Sequence, residues 1–193
     1  VLAAAAALRG APFDAPTRQA AERAFAALAD DGVLLHAGVM TSRPGAALRL
    51  SVLVPRRRCA DYLAAFGHAA DAAAVEEAAL WFGPLGGAPR PDSLLQLDFD
   101  AAGADRRIGV TLRPDDYRHW PALLAGLIAS GLCEASRGRA LLAWSGRAPL
   151  AGDVSHPPRR LERTIEHVKL VCLDARLAGA KAYFGATPRP AAE

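Results

Sequence analysis

The chain has 193 residues, 52% of them apolar, with a formal charge of +3 and three cysteines, Cys59, Cys133 and Cys172, far apart in sequence. That length suits one domain with at most a small appendage and allows a sizeable core. The charge is too thinly spread for a nucleic-acid binder, the cysteines lack zinc or disulfide spacing, and no run approaches the roughly 20 apolar residues of a membrane span. A cytoplasmic protein with reduced thiols is expected, with neither nucleic acid nor membrane as partner.

The opening VLAAAAALRG is apolar but short, with no preceding basic region, and residues 1–12 read as a flexible segment. Residues 13–31 read as a helix with Pro16 near its start and Ala20, Ala24, Phe25 and Leu28 on one face. VLLHAGVM (33–40) and LRLSVLVP (48–55) then form a predicted β-hairpin, followed by helices over 57–66 and 70–82. Between them, Arg56-Arg57-Arg58 is the densest positive run: either a solvated helix start or an anion-binding rim. The linker GPLGGAPRPDS leads to a second hairpin, LLQLDFD (94–100) and RIGVTLR (107–113). Two more helices follow, with Pro121 near the start of the first, then a loop over 146–158 and a basic helical turn. A third hairpin, over 167–173 and 180–184, closes a single domain over 13–185, and ATPRPAAE (186–193) reads as a disordered tail. The architecture therefore repeats as helices, strand, strand, which places the fold in the α+β class.

Strand side chains alternate between two faces. In the second hairpin Leu95, Leu97 and Phe99 share a face, as do Ile108, Val110 and Leu112. Val168, Leu170 and Cys172 match Ala180, Ala182 and Phe184 in the third. Opposite them lie His167 and Lys169, with Lys181 and Tyr183. Lys169 and Lys181 are the only lysines in a chain with 21 arginines. Their faces coincide if the turn near 174–179 holds an odd number of residues, which brings Lys169 within about 5 Å of Lys181 or Tyr183 at Cβ. Facing water, the two are ordinary exposed lysines; facing a lumen, they form an anion-binding pair suited to phosphate.

Helix–strand–strand–helix units with a polar inner face resemble the ABBA-type aromatic prenyltransferases, and LDARLAGAKAYF resembles a lumen strand of the indole members, where a K-x-Y pair helps to hold a diphosphate. The resemblance implies an antiparallel sheet curling toward a barrel, with helices on the outer face and an allylic isoprenoid diphosphate meeting an aromatic or peptide acceptor inside. Carried over, Lys181 and Tyr183 match the pair and Lys169 a partner strand, with Arg49, Arg113 and His167 as further diphosphate contacts. Asp98, Asp100 or Glu166 would handle the acceptor proton, and Asp98 with Asp100 would hold Mg²⁺, unless those two carboxylates simply flank a turn. Tyr183 and Met40 are candidates to shield an allylic cation. Trp81, Trp120 and Trp144 lie on helical stretches and read as packing residues.

The family's barrel has ten strands in five units, whereas six strands in three units are counted here. A second copy of the chain or further chain would complete the barrel. The alternative is a non-catalytic α+β domain whose polar face binds a ligand or peptide, serving as an accessory or oligomeric partner. No G-x-S-x-G, no phosphate loop and no histidine pair at helical spacing supports another enzyme class.

Overall fold

A computed structural model describes residues 1–41, 47–80, 92–114, 116–150 and 159–190. Among them the fold is α+β, with six α-helices and seven antiparallel strands. The chain divides into two compact units: Val1–Leu112 with Leu170–Gly179, and Arg113–Lys169 with Ala180–Glu193.

In the first unit α1 (Leu2–Arg9) packs on β1 (Val33–Met40) and ends at Gly10, whose φ of 77° suits the left-handed cap. Residues 1–12 were expected to be flexible; eight of them are helical. α2 (Ala15–Leu28) starts where the Asp14 side chain accepts from the Thr17 amide at 2.8 Å, with Pro16 in the first turn. Its Ala20, Ala21, Ala24 and Leu28 are buried.

Its last turn has an unexpected partner. Arg58 donates to the carbonyls of Ala27 and Leu28, and both Arg57 and Arg58 pair with Asp31. A helix leaves its last carbonyls unsatisfied, and here a guanidinium fills them. The arginine run opens a helical turn after Pro55 with Arg57 exposed, as one of the two expectations had it, and is no open anion-binding rim. It clamps the end of α2.

β1, β2 (Ala47–Pro55), β3 (Asp92–Asp100) and β4 (Gly103–Leu112) form a meander in that order. Leu48 lies opposite Phe99, Leu50 opposite Leu97 and Val52 opposite Leu95, while Leu97 and Leu95 face Ile108 and Val110. These side chains are at most 2% exposed. The alternating pattern read from the sequence is the core face, and α2, α3 (Cys59–Ala64) and α4 (Ala72–Leu80) rest on it. On the reverse face Ser51 and Asp98 are also buried, so part of the polar side is withdrawn from solvent.

The tip of the last hairpin belongs to this unit. Its turn is Asp174-Ala175, both at positive φ (53° and 59°), between β6 (Arg159–Leu173) and β7 (Arg176–Pro190). Two residues is not the odd number the face argument required. The Asp71 carboxylate accepts from the Ala175 amide at 2.8 Å and from the other side meets His68 Nδ1 at 2.8 Å; Arg106 pairs with Asp174.

In the second unit α5 (Trp120–Ala129) and α6 (Ala135–Trp144) pack together. Gly138 makes this approach possible: a Cβ there would lie 2.8 Å from Ile128 Cδ1. The expected loop after α6 holds a strand instead, β5 (Gly146–Leu150), paired with β6 from Gly146↔Arg163 to Leu150↔Arg159. The basic stretch from Arg159 is therefore strand rather than helical turn, and seven strands replace the six counted. Pro149 fits such a short strand, since proline is tolerated where no ladder donor is needed. β7 continues to Pro190, so most of the expected tail is extended strand.

Candidate functional site

Three residues of the second unit gather on one side of β6 and β7. The His167 imidazole stacks on the Tyr183 ring, 4.3 Å between centroids and 15° between planes. The Lys169 ammonium lies 5.6 Å from the centre of the same ring, and Lys169 is only 5% exposed. An ammonium over an aromatic face gains from the ring quadrupole, more so when desolvated. The shared face expected for His167, Lys169 and Tyr183 is present.

Electrostatics add two neighbours. Burial holds His167 below the ordinary imidazole value of 6.5; Lys169 and Arg113 push the same way, and Glu166 opposes them. His167 is thus a neutral ring beside an ammonium and a guanidinium. An anion arriving there would reverse the balance and favour imidazolium.

The remaining expected residues sit elsewhere. Lys181 is exposed and is among the residues that line a cavity under α5 and α6. Arg49 and Asp98 belong to the first unit, directly opposite one another on β2 and β3. They form a bidentate pair, Nε to Oδ1 at 2.7 Å and a terminal nitrogen to Oδ2 at 2.8 Å. Asp100 accepts from the Ala102 amide at 2.9 Å and so supports the β3–β4 turn. Glu166 is exposed and approaches the backbone of Gly185, where a Cβ would stand 2.5 Å from its Oε1. Arg113 is exposed, and Met40 sits at the end of β1 in the first unit. Trp81 lies outside the described residues.

The helix-side cavity was not legible as a site. It has a volume of about 740 Å³ and is lined by Leu124 and Leu127 of α5, Leu141 and Trp144 of α6, and Val168 and Phe184 of the strands, among others. Trp144 packs on Phe184 at 5.3 Å, and the Arg163 guanidinium lies 5.2 Å from the Trp144 ring. In the sequence these residues carry the ordinary signature of a core. The one hint was WPALLAGLIA, apolar around most of its circumference and so able to serve more than one neighbour.

Among the described residues no helix is long and apolar enough to cross a membrane. Compared with known proteins, the chain matches no family model, no curated protein and no solved structure.

Proposed function

We propose that the polar side of β6 and β7 in the second unit receives the diphosphate of an allylic isoprenoid, and that the chain is an aromatic prenyltransferase-like protein. The observation that carries this reading is the contact of the Tyr183 ring with both the His167 imidazole and the Lys169 ammonium. Lys169 and Arg113 supply positive charge for the leaving diphosphate, and charge placed where negative charge develops lowers the barrier to ionisation. His167, neutral in the empty site, takes up a proton as the anion binds. Loss of diphosphate leaves an allylic cation, which the electron-rich acceptor then attacks, its proton passing to the released diphosphate or to water. Lys181 stands outside this arrangement. Asp98 would hold Mg²⁺ only by giving up Arg49, so the charge of the site rests on its own cations.

A second reading, a ligand-binding domain without turnover, is favoured by the placement of the carboxylates. Asp98 is committed to Arg49, and Glu166 is exposed, so neither is held as a buried base.

Calorimetry with geranyl diphosphate, inorganic diphosphate and geraniol separates these possibilities when run beside an assay of diphosphate release in the presence of indole. Both diphosphates bind and geraniol does not, and Lys169→Ala weakens binding roughly tenfold or more, as expected for a charge-assisted contact. Release that depends on indole identifies a transferase; binding without release identifies the non-catalytic domain. If neither diphosphate binds, the transferase reading falls and a domain that binds some other ligand or a peptide is left.

A further inference from the structure

The geometry points to a second binding site in the same unit, on the helix-covered side of the hairpin, for a single-chain amphiphile with an anionic head. Its dimensions and chemistry differ from those of the polar-side cluster, and the inference does not depend on the transferase reading. About 740 Å³ lies within the range of small-ligand pockets, and the floor is apolar: Leu124, Leu127 and Val168 are each about 1% exposed.

Three observations specify the occupant. Phe184 is 54% exposed, although it lies on the apolar face of its strand and packs against Trp144; an apolar chain entering the cavity would cover it. Trp144 Nε1 is buried with no hydrogen-bond partner among the described residues, so this lining residue has a donor to give to an oxygen of the ligand. An unmet buried donor is costly, and a ligand acceptor relieves it. At the polar edge Arg137 is already paired with Glu134 at 3.1 Å, which leaves Lys181 as the charge of the lining with no ion pair among the described residues. The head is therefore anionic and the body a flexible hydrocarbon. A fatty carboxylate has this form.

Cys133 also lines the cavity and supplies the readout. It is half-buried, whereas Cys59 and Cys172 are fully buried, and burial pushes the Cys172 thiol up to about 12, so a mild alkylating reagent selects Cys133. The experiment follows alkylation of Cys133 by mass spectrometry in the whole chain, with sodium laurate, dodecanol or sodium butyrate as probes. Laurate at ten times its Kd slows the reaction about tenfold, by mass action. Dodecanol binds more weakly for want of the charge, and butyrate does not protect. Lys181→Gln, at an exposed position, narrows the gap between laurate and dodecanol; Ala182→Leu fills the cavity and abolishes protection without lowering the melting temperature. Dodecanol protecting as well as laurate overturns the anionic head. Undiminished protection of Ala182→Leu overturns the site itself. A Cys133 already unreactive in a chain that sediments as a dimer overturns the proposal in favour of a second copy covering the cavity.

Discussion

Asp71 uses both carboxylate oxygens on groups distant in sequence: His68 on one side and the Ala175 amide, 104 residues later, on the other. The second contact lies at a turn that ordinary geometry disfavours. Ala175 sits at φ 59°, where its Cβ meets the carbonyl oxygen and only glycine, or at times asparagine or aspartate, is at ease. The turn is of the tight two-residue kind usually written Asn-Gly or Asp-Gly, and Asp-Ala does not advertise it. That is why the sequence reading set the turn too long. Asp71→Ala removes an acceptor from a buried imidazole and from the turn amide at once. It is expected to lower stability by about 3 kcal/mol, seen as a drop in the urea midpoint with an unchanged slope. Ala175→Gly relieves the backbone instead and raises the midpoint.

At the scale of elements, the β2–β3 ladder is the best-specified part of the chain. Period-two patterning named Leu48, Leu50, Val52, Leu95, Leu97 and Phe99 as one face, and all are buried there. It also put Arg49 and Asp98 on the reverse face, but alternation cannot tell a site from a cross-strand pair. Register decides, and it sets the two directly opposite. Both side chains are under 20% exposed, so removing one partner leaves the other's charge largely desolvated. Arg49→Leu should cost about 3 kcal/mol by chemical denaturation, and the double variant Arg49→Leu with Asp98→Leu should recover most of it. If the single variant is neutral, the pair is an idle surface contact. β5 was lost to the reading for a different reason: five residues with one proline carry no periodic signal, and only pairing with β6 makes them a strand. The same pairing turned the stretch after Arg159 from helix to strand, tertiary contacts overriding local preference.

For the molecule as a whole, the charge is distributed in a way that composition conceals. Most arginines with described partners are bound in pairs, as Arg57 and Arg58 are with Asp31, Arg107 with Asp105 and Arg118 with Asp116. The two lysines, conspicuous in the sequence for their rarity, fall on different ground: Lys169 beneath an aromatic ring, Lys181 along an apolar cavity. The sequence put His167, Lys169 and Tyr183 on one face, and they are in contact, because alternation along a single strand is a local rule. Of the two partners that alternation allowed Lys169, the structure brings Tyr183 beneath its ammonium, a choice set by register and packing that period two does not encode.

The central claim is that this trio, with Arg113, is an anion site, and the proton of His167 reports on it directly. Following the imidazole by NMR against pH, with and without geranyl diphosphate, measures its titration in both states. Without ligand the midpoint lies below 6.5, as burial and the neighbouring cations require. A bound diphosphate favours the charged ring, so the midpoint rises, a proton is taken up, and affinity strengthens as pH falls between the two midpoints. A His167 midpoint that stays in place at saturating ligand, or falls, contradicts the account.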